Sequence, residues 1–181
     1  MPVENLWPVY IFQYFKEKQH PLNTAIIAKL GLKQSEIIRS NEANFDQQCE
    51  AIIKQQPLLI YPGEDSIPIE TLLDESAITE KPRPILFLDG TWRKTRLLIH
   101  ESPQIAQLQK ISIKPKLRSR YKIRKAPNPD AISTLEAIVY VLSRLEHEPD
   151  KYHSLLETMD IMINKQIEMM GEETFSKNYK E

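Results

Sequence analysis

The chain has 181 residues, 41% hydrophobic and 27% charged, with a net charge of −1, enough for one domain with a packed core. No apolar run approaches the ~20 residues of a membrane span, and Met1–Glu4 is neither a basic nor an amphipathic leader, so no targeting segment is expected. One cysteine, Cys49, excludes an intrachain disulfide and a Cys-rich zinc site, and it suits a reducing cytoplasm.

In chain order, Pro8–Tyr14 reads as a first strand. The residues from His20 to Thr24 open a helix that runs through Leu30 and is stopped by Gly31. Ser35–Arg39 is a short strand, and Phe45–Gln55 has helical spacing at Phe45, Cys49 and Ile52 or Ile53. Pro57–Tyr61 and Ile85–Leu88 are continuous apolar runs ended by Pro62-Gly63 and Asp89-Gly90; such runs are the pattern of buried parallel strands. Thr91–Leu108 is predicted helical with a break at Pro103, followed by a strand over Lys110–Lys114 and a long loop over Lys116–Asp130. Ser133–Glu146 is a helix opened by the capping box Ser133-x-x-Glu136, and the apolar spacing from Tyr152 to Ile167 marks another. Strands alternating with helices predict a single α/β domain over 1–181, with a mostly parallel sheet flanked by helices. Its core spans about 8–170, and the polar tail, 171–181, is expected to fray.

Two segments could carry chemistry. Asp89-Gly90-Thr91-Trp92 follows a buried strand directly, and parallel α/β sheets bind ligands beyond the carboxyl ends of their strands. The plainer reading is that Asp89 or Thr91 caps the next helix and Trp92 packs on the core. The second is a stretch from Ser102 to Pro129 without a single acidic residue. In it Lys114, Lys116, Arg118, Arg120, Lys122 and Arg124 recur with a period of two, and Lys125 follows. Extended, they would form one basic stripe able to track a phosphate backbone, with Tyr121 available for base stacking. The alternative is a solvated loop, and Pro115 interrupts any regular strand there.

Much is excluded. With only Gly31, Gly63, Gly90 and Gly171, neither a G-x-G-x-x-G turn nor a P-loop can be written. His20, His100, His147 and His153 lack metal-ligand spacing, and no G-x-S-x-G elbow exists.

In order, the stretches Gln13–Thr24, Leu59–Asp65, Leu88–Trp92, Ser102-Pro103, Ser119–Tyr121 with Ile123–Lys125, and Ser133–Ala137 resemble the DTW-domain family. The likeness runs from about Val9 to about Met170. The family is similar to SPOUT-type enzymes, whose α/β fold has a knotted C-terminal part that holds the cofactor. The resemblance implies transfer of the 3-amino-3-carboxypropyl group of S-adenosylmethionine to N3 of a tRNA uridine, with methylthioadenosine as by-product. A cytoplasmic enzyme is expected, its oligomeric state open with a monomer favoured.

On this resemblance Asp89, Thr91 and Trp92 are the catalytic candidates, with Asp89 as base. Tyr61, Pro62, Gly63, Leu88, Pro127, Ser133, Thr134 and Glu136 are expected at the S-adenosylmethionine site, although Ser133 and Glu136 also have the capping-box explanation. Arg93, Lys116, Arg118, Arg120, Tyr121, Lys122, Arg124 and Lys125 are expected to contact tRNA. Many family members begin with a four-cysteine cluster, which this chain lacks, so no metal is expected; Tyr14 stands where the family often has His. Modification of rRNA, methyl transfer on the same fold, a non-catalytic RNA-binding module and a small-molecule enzyme are the competing readings.

Overall fold

The computed structural model describes residues 1–14, 23–74, 81–115, 119–123 and 131–179. Six strands form one sheet: β1 (Val9–Gln13), β2 (Ser35–Arg39), β3 (Leu58–Ile60), β4 (Ile67–Pro68), β5 (Ile85–Asp89) and β6 (Lys110–Ser112). Their order is β2-β1-β5-β3-β6-β4, and every pairing is parallel. The expected mostly parallel sheet is thus parallel throughout. Helices α1 (Thr24–Gly31), α2 (Phe45–Ile53), α3 (Ile69–Asp74), α4 (Trp92–Glu101), α5 (Pro103–Ala106), α6 (Thr134–Leu145), α7 (His153–Met170) and α8 (Glu172–Tyr179) are placed between and after the strands. The break at Pro103 separates α4 from α5, and beyond Gly171 the chain forms α8, from which Phe175 packs on the core.

Side chains two residues apart along a strand share a face, and the sheet obeys this strictly. Val9 and Ile11, Leu58 and Ile60, and Ile85 and Phe87 join one core cluster with residues of α1, α3, α6 and α7. Phe12, Leu59 and Leu86 face the other way, against α2, α4 and α5. Helix α6 contributes Leu135, Ile138, Val141 and Leu142, all fully buried. Each such side chain contributes about 1.5–3 kcal/mol by leaving water.

Three details depart from the sequence expectation. Gly31 is the last residue of α1, and Leu32 is the C-cap. A Cβ at Gly31 would stand 2.2 Å from Cδ2 of Leu155 on α7, so the glycine serves close helix approach rather than a left-handed stop. The pair β4–α3, between the two apolar runs, has no counterpart in the periodicity because β4 is two residues long. Strand β6 ends at Ser112, short of Lys114.

The topology opens a crevice at the carboxyl edge of the sheet. After β1 the chain supplies α1 to one face of the sheet; after its neighbour β5 it supplies α4 to the other. Adjacent strands whose continuations part in this way leave a crevice at their carboxyl ends. Gln13 ends β1, Asp89 ends β5, and the two are in register.

Candidate active site

Asp89 stands one step beyond the apolar part of β5, on the parity of Ile85 and Phe87, so its side chain points toward α1 and α6. Gln13 and Asn23 donate from Nε2 and Nδ2 to Asp89 Oδ2, at 2.7 and 2.9 Å, and Thr134 Oγ1 donates to Oδ1 at 2.6 Å. Two of these donors are locked from behind. Arg39 Nε donates to Gln13 Oε1 at 3.2 Å, and Asn23 Oδ1 caps α1 by accepting from Ala25 N at 2.8 Å. Arg39, Gln13 and Asp89 end three neighbouring strands in register, so the chain of bonds runs straight across the sheet.

Gly90 follows with φ 157°, and a Cβ there would stand 3.3 Å from Lys94 Cβ. Glycine therefore permits the sharp exit from strand to helix. Thr91 is the N-cap of α4, its hydroxyl accepting from Lys94 N at 3.4 Å, and Trp92 begins the helix. Trp92 is 42% exposed, and its ring meets Tyr61 edge-on, with centroids 6.0 Å apart.

Beside this turn lies a cleft of about 250 Å³ between the carboxyl ends of β3, β5 and β6 and the start of α6. Tyr61, Pro62, Leu88, Trp92, Ser133 and Thr134, all expected at the site, line it. Apolar walls come from Phe87, Ile111, Ile113 and Ile132, giving the mainly apolar pocket with a few polar groups that small ligands favour. Gly63 and Glu136 are not part of that lining. Gly63 makes a tight turn with Ser66, whose hydroxyl donates to the Gly63 carbonyl at 2.6 Å.

Ser133 and Glu136 form the reciprocal capping box. The Glu136 carboxylate does more: it accepts from Ser133 N at 2.7 Å, from Ser119 Oγ at 2.8 Å and from Arg120 N at 2.6 Å. One side chain thus ties the basic segment to the start of α6. Arg120 pairs with Asp160 at 2.8 Å, Lys122 is exposed, and Tyr121 and Ile123 turn inward onto the core. Lys122 N donates to Arg120 O at 2.9 Å, so this piece is a turn, not an extended stripe. Arg93 is exposed on α4. Pro127, Lys116, Arg118, Arg124 and Lys125 lie outside the described residues.

The DTW domain matches residues 1–167. The chain belongs to the DTW-domain family. It is also similar to tRNA-uridine aminocarboxypropyltransferase 2 of Drosophila melanogaster, 28% identical over 177 residues, which cover 94% of this chain and 69% of that protein. No solved structure matches. In this DTW domain, no group of three or more His, Cys, Asp and Glu among the described residues could hold a metal ion. No helix among them is long and apolar enough to cross a membrane.

Sequence reasoning singles out Asp89 but gives Gln13, Asn23 and Arg39 no task. Their signals are faint. Gln13 is a polar residue at the end of an apolar strand, and Asn23 is a capping residue.

Proposed function

We propose that this DTW domain transfers the 3-amino-3-carboxypropyl group of S-adenosylmethionine to N3 of a tRNA uridine, acting as a monomer in the cytoplasm. The observation that carries the reading is the likeness, over 94% of the chain, to a protein named a tRNA-uridine aminocarboxypropyltransferase. The hydrogen-bonded Asp89 beside an apolar cleft supports it. A SPOUT-like knotted C-terminal part belongs to the same proposal. Its support is that β6 inserts between β3 and β4, after which the chain returns to the cleft at Ile132–Thr134.

The reaction is a displacement. Uridine N3 gives up its proton, its electron pair forms a bond to the γ-carbon of the methionine moiety, and the γ-carbon–sulfur bond breaks. Its electrons stay on sulfur, so methylthioadenosine leaves neutral and needs no acid. The sulfonium bears three carbons, and the choice among them is a matter of holding the nucleophile about 3–3.5 Å from the right one, in line with sulfur. Tyr61, Pro62, Leu88 and Ser133 would hold the donor, Trp92 offering its exposed ring to a flat base. The positive end of α6 suits the donor's carboxylate. Gly63 and Glu136 would act at one remove, Gly63 by shaping the turn after β3 and Glu136 by fixing Ser133. Pro127 would close the other side. Thr91 would set the start of α4, and Asp89 is the proton acceptor. Arg93, Arg120, Lys122 and the remaining cations of the segment, Lys116, Arg118, Arg124 and Lys125, would meet phosphates, with Tyr121 holding the segment to the core.

Incubation with unmodified tRNA and S-adenosylmethionine, followed by digestion and nucleoside mass spectrometry, tests this. An aminocarboxypropyl gain on uridine is expected. A methyl gain, or the same gain only with rRNA, would replace the proposal with a sibling reaction; RNA binding without donor affinity would reduce the protein to a binding module.

A further inference from the structure

The four hydrogen-bonding positions of the Asp89 carboxylate are not used alike. Oδ2 takes two donors whose far sides are anchored, Gln13 by Arg39 and Asn23 by the first turn of α1. Among the described residues, Oδ1 takes only the Thr134 hydroxyl, at 2.6 Å. That hydroxyl belongs to the first residue of α6, and Thr134 also lines the cleft. A hydroxyl has one proton and two acceptor lone pairs. With its proton committed to Asp89, Thr134 meets a ligand in the cleft as an acceptor.

Resting on the reaction proposed above, we infer that Thr134 is the residue that takes the uridine N3 proton, as the first member of a two-residue relay ending on Asp89. The N3 proton passes to Thr134 Oγ1 while the hydroxyl proton passes to Asp89 Oδ1. The freed N3 electron pair forms the bond to the γ-carbon, and the γ-carbon–sulfur pair stays on sulfur. Asp89 ends protonated on Oδ1, with Oδ2 still held by Gln13 and Asn23. Two N–H donors of the methyl-sulfonium donor compete for Thr134, the neutral adenine amino group and the ammonium of the methionine moiety, and the ammonium is the cation. The start of a helix carries partial positive charge, which opposes a cation and stabilises an anion. At the head of the 12-residue α6 this favours the imide, which becomes an anion as the proton leaves.

Single-turnover transfer should be measured for wild type, Thr134→Val and Thr134→Ser, with donor affinity by calorimetry and melting temperature alongside. Thr134→Val should slow transfer about 10²–10⁴-fold, the range for losing a positioned proton acceptor, while Thr134→Ser keeps the rate within about tenfold. Donor affinity should stay unchanged in both. The residual Thr134→Val rate should climb with pH in proportion to hydroxide, as the wild-type rate does not. Full-speed Thr134→Val overturns the relay, as does Thr134→Ser as slow as Thr134→Val. Loss of donor affinity in place of rate would show the hydroxyl holding the donor, through its ammonium or its adenine amino group, and also overturns it. If Thr134→Val melts, the rate and pH profile of Thr134→Ser decide. An inert wild type is a separate outcome, which removes the proposed reaction and the relay with it.

Discussion

Asn23 does two jobs with one amide. Its oxygen caps α1 and its nitrogen steadies Asp89. Serine can perform the first job but is too short for the second. Asn23→Ser should therefore retain the melting temperature, where Asn23→Ala would lose about 1 kcal/mol of capping. It should still slow transfer about 10- to 100-fold through a misplaced carboxylate. Thermal melts and turnover on the same preparation check this, and an unchanged rate would free Asn23 of any role beyond the cap. Asp89 itself is legible in the sequence, because an acid on a glycine turn after an apolar run is conspicuous. Its partners are not. Gln13 is 76 positions away and reaches Asp89 only because β1 lies beside β5, and hydrophobic periodicity says nothing about which strands become neighbours.

Among the elements, α6 is the best specified by sequence, since its apolar spacing and capping box point to the same start. Gly31 shows the opposite: glycine at a helix end reads as a stop, while its task is set by α7, far along the chain. Gly31→Ala should destabilise the fold by about 1–3 kcal/mol through overpacking. Thermal melts should show that loss partly recovered in Gly31→Ala combined with Leu155→Ala. The basic segment was readable as a charge pattern but not as a shape. Its turn at Arg120–Lys122 depends on Glu136 and on the inward Tyr121 and Ile123. Charge reversal at Arg120 and Arg124 should weaken tRNA binding, and each lost phosphate contact should flatten the salt dependence by about 0.7–0.9 in log–log slope. Binding isotherms at several salt concentrations measure it, and unchanged affinity would return both residues to structural roles.

For the molecule as a whole, one buried carboxylate joins the N-terminal segment to the corner between α6 and α7. Glu146 accepts from Leu6 N, Lys151 Nζ and Tyr152 Oη at 2.7–2.8 Å. Burial, then the bond to Glu146, pushes the Tyr152 phenol far above its ordinary 10.0. Hydrogen bonds to Glu146 and Glu148 raise the Lys151 ammonium above its 10.5. Both groups hold their protons more tightly folded than unfolded, so their stabilisation is complete below pH about 10 and is lost as pH rises through the folded values. Melting temperature should fall above pH about 10, and less steeply in Tyr152→Phe measured against its own neutral value. An alkaline limb unchanged by Tyr152→Phe would remove the phenol from this account. The α/β class was legible from alternating elements; the strand order, and hence the crevice between β1 and β5, was not.

The proposed chemistry in that crevice is centred on the Asp89 carboxylate. Asp89→Asn keeps the size of the side chain but replaces one acceptor oxygen with a donor, so it cannot accept from Gln13, Asn23 and Thr134 and also take a proton. The decisive measurement is transfer to unmodified tRNA by this variant, paired with calorimetry of S-adenosylmethionine binding. Transfer should be abolished while the donor still binds. Near-normal turnover in Asp89→Asn would contradict it.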